Sequence, residues 1–493
     1  MVVRQTTEGL MNWLASGALV VIGYDARHNS KRFATDVAEV VLANGGRAEI
    51  IDRPAPTPVL ALAVLDRNAD AGVMITASHN PATDNGYKLY LADGIQLVSP
   101  ADAEIAAAID QVAANAKPLA PVDSVALDIA DVSLQRHLEA ALAALLTEDR
   151  DVNVVYTAMH GVGGTHLVEC FEAAGFPTPQ VVAEQFHPDP DFPTTPFPNP
   201  EQAGSLDLAI AAATATEPTP DIILANDPDA DRLAVGVVDD SGSWRRLSGD
   251  DVGALLLDHI LTQRETVAQG EPVGWVVASS IVSSRFINRL AEARGVTSIR
   301  TLTGFKWVAR PIVERPDDDY LFGYEEALGY CIGDRVRDKD GISAALVFAE
   351  LAAGCKAAGT TVWGKLNTII ETYGLFATDQ LTVSLAGMSD TEQAAAKARA
   401  ISLNPTEVAG LTVTGREDLA LGMRLPPTDG VVLELGDDVR LIVRPSGTEP
   451  KIKAYLEVIE SGGPPGYAKE ARRKAELRLE ILADAVKDLI GPR

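Results

Sequence analysis

The segment NDPDADR carries three aspartates at alternate positions, which are Asp227, Asp229 and Asp231. Three hard oxygen ligands within five residues suit Mg²⁺ or Ca²⁺. The spacing does not fit an EF-hand, because Arg232 and Val238 stand where that loop needs glycine and glutamate. The loop leaves ligand positions to outside groups, which favours a Mg²⁺ that also binds a phosphate oxygen. An acidic turn of helix-capping aspartates is the alternative, although like charges this close are costly without a cation.

The segment TASHNP follows the apolar run AGVMI, which predicts a buried strand of a parallel sheet. Ligands of open α/β sheets bind just beyond the carboxyl ends of strands, and Ser78 and His79 stand at such a point. Lys88 follows soon after in NGYK, and a lysine beside a reactive serine can stabilise phosphate charge or take up a proton. A helix N-cap at Ser78 or Asn80 is the alternative interpretation.

The segment RPSGTEPK follows the apolar strand VRLIV and combines a cation with small polar residues. Arg444 can bind a phosphate through two parallel hydrogen bonds. Ser446 and Thr448 offer hydroxyl donors, and Gly447 lets backbone amides approach an anion. The segment therefore predicts a phosphate-binding loop, with a proline–glycine hairpin turn as the alternative.

Three more loops place charged side chains close to predicted strands. GYEEALGY presents Glu325 and Glu326, and a carboxylate such as Glu325 can accept hydrogen bonds from two sugar hydroxyls. Acidic residues at a helix N-terminus are the alternative. TLTGFKWV adds Lys306 and GYDARHNS adds Arg27, neither of which indicates a function by itself.

These loops follow short apolar segments that alternate with alanine-rich helical patterns. Strand–helix alternation predicts parallel sheets covered by helices. After Gly374 the pattern changes to antiparallel strands and a terminal amphipathic helix, AKEARRKAELRLEILADAVKDLI. The sequence therefore predicts an α/β protein with a separate α+β part at its end.

Length and charge exclude several classes of protein. At 493 residues the chain is too long for one hydrophobic core. Its formal net charge of −27 repels phosphate backbones, so we expect no nucleic-acid partner. Three widely spaced cysteines fit a reducing, cytoplasmic location. No stretch approaches the ~18 apolar residues of a membrane span, so we expect no membrane partner.

These segments, in their order along the chain, resemble the motifs of the α-D-phosphohexomutase superfamily, the phosphoglucomutases and phosphomannomutases. The resemblance extends over nearly the whole chain. TASHNP resembles the phosphoserine loop, NDPDADR the Mg²⁺ loop, GYEEALGY the sugar-recognition loop and RPSGTEPK the phosphate loop. The sequences of the segments FGYEEALGY and HPDPDFPTTPFPNPE are most similar to the phosphoglucomutase-2-like branch, whose members act on hexose and sometimes pentose phosphates.

The resemblance implies three related α/β domains and a C-terminal α+β domain around a central cleft. We predict their boundaries at 1–145, 146–247, 248–370 and 371–493. The implied activity moves phosphate between position 1 and position 6 of a hexose, or position 5 of a pentose, through a phosphoserine and a bisphosphate intermediate. The expected partners are a sugar phosphate and a sugar bisphosphate activator, and the expected assembly is a monomer or homodimer.

The resemblance also implies a role for each candidate residue. The catalytic residues would be Ser78 as phosphate carrier, His79, Lys88 and Arg27. The Mg²⁺ ligands would be Ser78 through its phosphate, Asp227, Asp229 and Asp231. The substrate-binding residues would be Glu325, Glu326, Lys306, Arg444, Ser446, Gly447, Thr448 and Arg232.

Two features depart from the family pattern. Members usually begin with a G-T-x-G-x-R-G loop, whereas this chain starts inside the following helix, so we expect a form extended by that loop to be more active. Ala327 replaces a serine that is frequent in the sugar loop, so we expect broad substrate choice. The alternatives are a metal-dependent phosphatase with a serine nucleophile, a phosphopentomutase as the main activity, and a non-catalytic sugar-phosphate sensor.

Overall fold

The computed structural model describes residues 1–114, 126–268, 273–423, 425–446 and 450–491. The chain divides into two compact units. The first unit comprises Met1–Ser279, Arg294–Ile299 and Gly304–Trp363. The second unit comprises Ser280–Ala293, Arg300–Thr303 and Gly364–Arg493.

The first sheet is built from the amino-terminal part of the chain. Its strands are β1 (Leu19–Tyr24), β2 (Arg47–Ile50), β3 (Ala71–Ile75), β4 (Tyr87–Leu91) and β5 (Leu127–Asp128), in the order β4-β3-β1-β2-β5. Its helices are α1 (Val2–Trp13), α2 (Ser30–Ala43), α3 (Thr57–Asp66), α4 (Ala101–Ala114) and α5 (Ala130–Ala143). β1 pairs in parallel with β2 and β3, whereas β4 is antiparallel to β3.

Both faces of this sheet are covered, which explains the uninterrupted apolar runs of its central strands. β1 and β3 are buried at every residue. Alternate residues of β1 enter different clusters, because Val20 packs with Leu10 of α1 whereas Val21 packs with Leu60 of α3. Such a strand has no polar face, as expected for parallel sheets between helical layers.

The second sheet contains β6 (Val154–Thr157), β7 (Gln180–Val181), β8 (Ile222–Ala225), β9 (Ala234–Val238) and β10 (Trp244–Arg246), in the order β10-β9-β8-β6-β7. Its helices are α6 (Gly163–Ala174), α7 (Ala183–Phe186) and α8 (Asp207–Thr214). β8 pairs in parallel with β6 and antiparallel with β9.

The third sheet contains β11 (Trp275–Ser280), β12 (Thr297–Thr301), β13 (Asp319–Glu325) and β14 (Gly329–Ile332), in the order β12-β11-β13-β14. The helices of this region are α9 (Gly249–Ala268), α10 (Phe286–Ala293), α11 (Phe305–Val308), α12 (Pro311–Glu314) and α13 (Gly341–Ala357). β13 pairs in parallel with β11 and antiparallel with β14.

The three sheets share one plan that the sequence predicted only in part. In each, a buried strand has a parallel neighbour on one side and an antiparallel neighbour on the other. The expectation of parallel strands alone is therefore wrong at one edge. The reason is that the loops after β3, β8 and β13 return the chain directly, without the crossover helix that a parallel pair requires. Three related α/β domains are confirmed.

The second unit is α+β, as predicted. It contains most of α14 (Val362–Tyr373), then β15 (Leu375–Ser384), α15 (Asp390–Ile401), β16 (Glu407–Val408), β17 (Leu411–Asp418), a 3₁₀ turn (Leu419–Leu421), β18 (Val431–Leu435), β19 (Val439–Pro445), β20 (Lys451–Glu460) and α16 (Ala468–Ile490). Neighbouring strands in the order β15-β20-β19-β18-β17-β16 are antiparallel. Leu482 and Val486 of α16 join the cluster that buries one face of this sheet.

No single helix in the described part of the chain is long and apolar enough to cross a membrane. Two helices, α13 and α14, meet the criteria of length and composition only when they are taken together as a bent pair. The apolar composition of α13 has another explanation, because most of its residues are buried inside the protein.

Helix α13 begins against the loop that joins β8 to β9. Asp340 caps the helix by accepting hydrogen bonds from the backbone N–H groups of Ile342 and Ser343. A Cβ atom at Gly341 would lie 2.2 Å from the carbonyl oxygen of Arg232 and 2.6 Å from the side-chain nitrogen of Asn226. Only glycine therefore lets this helix start so close to the loop.

We predict that Gly341→Ala lowers the free energy of unfolding by about 1–3 kcal/mol, because the added methyl group overpacks a rigid backbone contact. Gly354→Ala on the same helix is the matched control, since its Cβ would meet only Asp149 Oδ2, at 3.5 Å. That control should be neutral or stabilising by up to about 1 kcal/mol. Urea denaturation of both variants measures the difference, and equal stabilities would contradict this account.

Asp340 is also the end of a buried chain of histidines. His137 Nε2 lies 3.1 Å from Asp340 Oδ2, and His137 Nδ1 lies 2.9 Å from His166 Nε2. Burial, with a smaller contribution from His137, lowers the pKa of His166 from 6.5 to about 3. His166 is therefore neutral in the folded protein at pH values where the unfolded chain already binds a proton.

The lowered pKa of His166 predicts a pH dependence of folding. Because the unfolded chain binds the extra proton, the stabilisation is complete above pH 6.5 and is lost as the pH falls towards 3. The contribution to the slope is at most about 1.4 kcal/mol per pH unit. His166→Gln should reduce the slope of unfolding free energy between pH 6.5 and 4.5, whereas His187→Gln, at an exposed histidine, should not. An unchanged slope in His166→Gln would contradict the assignment.

Candidate active site

The loop between β8 and β9 gathers the three predicted carboxylates in one buried place. Asp227, Asp229 and Asp231 are each 0% exposed, and one carboxylate oxygen from each lies within 4.8 Å of the others. Within the described residues, Asp229 Oδ1 and Asp231 Oδ1 are buried and accept no hydrogen bond. Buried carboxylate oxygens without donors fit a divalent cation that prefers oxygen ligands.

Two lysines from different parts of the chain face these carboxylates. Lys88 Nζ donates to Asp229 Oδ2 at 2.7 Å and to Asp231 Oδ2 at 2.9 Å. Lys339 Nζ lies 3.1 Å from Asp231 Oδ2. Burial by itself raises the pKa of Asp231, but Lys339, Lys88 and then Arg232 outweigh burial and lower it. Burial acts against the charge of Lys88, and the carboxylates of Asp229 and Asp231 nevertheless raise its pKa.

Asp227 is the carboxylate that faces the predicted nucleophile. Ser78 Oγ donates to Asp227 Oδ2 at 3.3 Å, and the backbone N–H of Arg232 donates to Asp227 Oδ1 at 3.0 Å. Burial, and then the charges of Asp231 and Asp229, raise the pKa of Asp227 well above its usual range. A bound divalent cation would favour the ionised form here, so the charge balance also fits a metal site.

Ser78 stands in a strained turn between β3 and β4. Its φ angle is +51°, and its backbone N–H donates to Thr76 Oγ1 at 2.9 Å. No helix begins at TASHNP, so the alternative of a helix N-cap is wrong. A left-handed non-glycine residue costs about 1–3 kcal/mol and persists only where its surroundings hold it.

Arg27 supplies much of that support. Its guanidinium donates to the carbonyl oxygens of Ser78 at 2.6 Å, Asn80 at 2.6 Å and Pro81 at 2.7 Å. Its Nε lies 3.2 Å from Asp25 Oδ2, and its side chain is only 1% exposed. These contacts hold the Ser78 turn in place, and the catalytic role of Arg27 stays a prediction.

His79 lies directly beside Ser78. Its Nδ1 is 3.3 Å from Ser78 Oγ. Burial, and then the positive charge of Arg232, lower the pKa of His79 to about 3. The ring is therefore neutral and can exchange a hydrogen bond with the Ser78 hydroxyl.

The loop between β13 and β14 is brought next to the aspartate loop. Arg232 forms an isolated bridge with Gly329, and Leu233 N–H donates to the carbonyl oxygen of Leu328 at 3.0 Å. Glu325, at the end of β13, accepts a hydrogen bond of 2.6 Å from the backbone N–H of Gly304. Burial raises the pKa of Glu325, while the charge of Lys339 opposes that shift.

The remaining substrate-binding candidates have different surroundings. Glu326 follows Glu325 in the turn after β13 and is half-buried, as is Lys306 on α11. Arg444 on β19 and Ser446 just beyond it belong to the second unit. Gly447 and Thr448 lie outside the described residues. The functional roles of all these residues stay predictions.

Two residues of the site were not assigned from the sequence. Lys339 belongs to the charged segment RDKDG, to which the sequence assigned no role, and it contacts Asp231. Glu201 Oε2 accepts a hydrogen bond from Arg232 Nη1 at 2.9 Å. For Lys339, the available signal in the sequence was that KDG follows a buried strand. For Glu201 the sequence gives no signal, because its partner Arg232 is distant along the chain.

Models of the phosphoglucomutase/phosphomannomutase family match the chain in four consecutive stretches. The α/β/α domains I, II and III match residues 1–116, 135–242 and 248–373. The C-terminal domain of the family matches residues 392–462. These stretches contain the loops that carry Ser78, the three aspartates, Glu325 and Arg444.

Individual relatives extend over almost the same length. The chain is 42% identical over 463 residues to "Probable phosphomannomutase" of Haemophilus influenzae, with 92% of each protein covered. It is 34% identical over 530 residues to the phosphopentomutase of Homo sapiens, covering 96% of this chain and 83% of that protein. A phosphoglucomutase/phosphomannomutase family protein from Burkholderia thailandensis has the same fold, with a TM-score of 0.70 at 18% identity, and covers 100% of this chain and 94% of its own. The chain therefore belongs to the phosphoglucomutase/phosphomannomutase family, an enzyme family of phosphosugar mutases.

Proposed function

We propose that this enzyme transfers phosphate between position 1 and position 6 of a hexose, or position 5 of a pentose, with Ser78 as the phosphate carrier. The observation that carries the proposal is the contact between the Ser78 hydroxyl and the carboxylate cluster, with Ser78 Oγ 3.3 Å from Asp227 Oδ2. A nucleophile in that position is close to the cationic groups that stabilise charge on a transferring phosphoryl group.

We assign the metal site to Asp227, Asp229 and Asp231, with Mg²⁺ as the ion and an oxygen of phosphorylated Ser78 as a further ligand. The buried, donor-free oxygens of Asp229 and Asp231 support this assignment. When bound, Mg²⁺ supplies Lewis-acid stabilisation of charge on the phosphoryl oxygens. The cluster of oxygens fits that ion, because hard oxygen ligands suit it.

The side chains around Ser78 divide the remaining work. In the first transfer, a sugar hydroxyl oxygen forms a bond to the phosphorus of phosphorylated Ser78, and the bond from phosphorus to Ser78 Oγ breaks. The departing Ser78 oxygen takes up the proton that the sugar hydroxyl loses, and His79, whose Nδ1 is 3.3 Å from Ser78 Oγ, is placed to hydrogen-bond that oxygen. Lys88 and Lys339 remain charged beside the carboxylates, which favours charge stabilisation over proton uptake for Lys88. The second transfer reverses these bonds at the other phosphate.

Substrate recognition is assigned to two loops. Glu325 and Glu326 would hold sugar hydroxyls, with Lys306 as a cationic neighbour, and the segment of Arg444, Ser446, Gly447 and Thr448 would bind the phosphate that is not transferred. The relative named phosphopentomutase supports pentose phosphates as additional substrates. A sugar bisphosphate would serve as activator, because it can restore phosphate to Ser78.

Other properties follow the same proposal. We place the enzyme in a reducing compartment, the cytoplasm, because its three cysteines are few and widely spaced. We retain domain boundaries after residues 145, 247 and 370, and a monomeric or homodimeric assembly.

Ser78→Ala should abolish mutase turnover, with kcat falling more than about 1,000-fold because the phosphate carrier is removed. Intact mass should lose the adduct of ~80 Da that marks a phosphorylated side chain. The assay follows isomerised sugar phosphate and free phosphate in parallel, with glucose-, mannose-, ribose- and deoxyribose-1-phosphate. Ser241→Ala, at an exposed turn, is the control. Release of free phosphate without isomerised product would instead indicate the phosphatase alternative.

Asp229→Asn should weaken Mg²⁺ binding by at least about 10- to 100-fold and slow phosphoryl transfer, because one of the proposed ligands loses its charge. Titration calorimetry with MgCl₂ measures the affinity, and circular dichroism checks that the fold persists. Asp240→Asn replaces an exposed carboxylate nearby in sequence and should leave affinity unchanged. Full wild-type turnover in excess EDTA would refute the metal assignment.

A further inference from the structure

We propose that the proline-rich segment 187–201, HPDPDFPTTPFPNPE, is a brace that fixes the Ser78 loop against the aspartate loop, with Phe192 and Glu201 as its positioning residues. The inference rests on the proposed role of Ser78. The segment contacts one arginine at each loop, Arg27 through Phe192 and Arg232 through Glu201. We call residues 187–201 the brace segment.

The first grip of the brace segment is on Arg27. The ring of Phe192 lies under this guanidinium, with 5.0 Å between Arg27 Cζ and the ring centroid. Phe192 is 3% exposed, so it shields Arg27 from water on that side. Arg27 in turn donates to the carbonyl oxygens of Ser78, Asn80 and Pro81. The cation–π contact therefore protects the hydrogen bonds that hold the left-handed turn at Ser78.

The second grip is made by Glu201, nine residues after Phe192 in the brace segment, and it holds Arg232. Glu201 Oε2 accepts from Arg232 Nη1 at 2.9 Å. The backbone of Arg232 donates to Asp227, and its Nε lies 3.8 Å from Asp227 Oδ2. Glu201 thereby fixes the orientation of the arginine that closes the aspartate loop.

The brace segment is stiff and is itself anchored. Six of its fifteen residues are proline, which restricts the backbone between the two grips. Thr194 Oγ1 lies 2.8 Å from His160 Nε2, and Asp189 N–H donates to the carbonyl oxygen of His160 at 3.0 Å. Val162, two residues after His160, donates a backbone hydrogen bond of 2.9 Å to the carbonyl oxygen of Pro228 in the aspartate loop.

The two grips determine the distance between Ser78 and Asp227. Ser78 and Asp227 come from different sheets, and their 3.3 Å contact depends on how the two loops are held. Phosphoryl transfer is sensitive to such placement, because errors of about 1 Å reduce rates by up to about 100-fold. A brace that contacts both loops keeps the distance between Ser78 and the carboxylates constant through both transfers.

The test compares Phe192→Leu and Glu201→Gln in the full chain. Each should lower kcat by about tenfold while KM for glucose 1-phosphate changes less than about twofold, because positioning and not binding is lost. Hydrogen–deuterium exchange should accelerate by about tenfold in peptides covering 76–85 for Phe192→Leu and 226–232 for Glu201→Gln, with other regions unchanged. Phe192→Tyr keeps a ring beside Arg27 and should restore both readouts.

Matched controls exist in the same region. Phe197 lies in the brace segment but is 60% exposed, so Phe197→Leu should behave as wild type. Glu172→Gln is the control for charge removal at an exposed carboxylate. Unchanged kcat and unchanged local exchange in folded Phe192→Leu and Glu201→Gln would overturn the proposal, as would acceleration spread evenly over the chain. If Phe192→Leu does not fold, Glu201→Gln and Phe192→Tyr decide by the same readouts.

The two proposals fail in different ways. A wild-type protein without mutase turnover on any of the four sugar phosphates would refute the proposed function. The exchange measurements would still judge the brace segment, because they report the order of the two loops without catalysis.

Discussion

Three buried carboxylates within five residues are the constraint on which the rest of the first unit depends. Charges of one sign cannot share a dry site unless cations and donors compensate them. Lys88 reaches the cluster from the first sheet, and Lys339 reaches it from the loop before α13. The aspartates therefore fold stably only where segments far apart in sequence meet, and the same electrostatic demand that assembles the site suits it to a divalent cation and phosphate.

The sheet plan explains why those segments meet. The loops after β3, β8 and β13 each lie where a parallel strand pair gives way to an antiparallel one. A short return at that position projects a polar turn beyond the carboxyl ends of the strands, where ligand sites of α/β sheets form. The same arrangement occurs three times and positions Ser78, the three aspartates and Glu325.

The sequence was informative where a residue and its neighbours in the chain share one task. The alternation of Asp227, Asp229 and Asp231 predicted a buried oxygen cluster, and the apolar run before Ser78 predicted its position after a strand. It was uninformative where the task depends on a distant partner. Arg27 was placed among the catalytic residues, and nothing near it in sequence shows that its donors would meet carbonyl oxygens more than fifty residues away.

Exposure increases from the aspartates to the residues around them. The aspartates and Arg27 are fully or almost fully buried, whereas Ser78, His79 and Lys88 are half-buried, as are Glu325, Glu326 and Ala327. A mutase of this kind must perform two transfers with its substrate in opposite orientations, so the transferring centre has to remain fixed while the sugar contacts tolerate both. Ala327 brings no hydroxyl to the sugar loop, and a contact without a directional hydrogen bond discriminates weakly between ligands. We therefore propose that a rigid, charge-balanced centre beside a less selective sugar loop is the arrangement that allows both transfers.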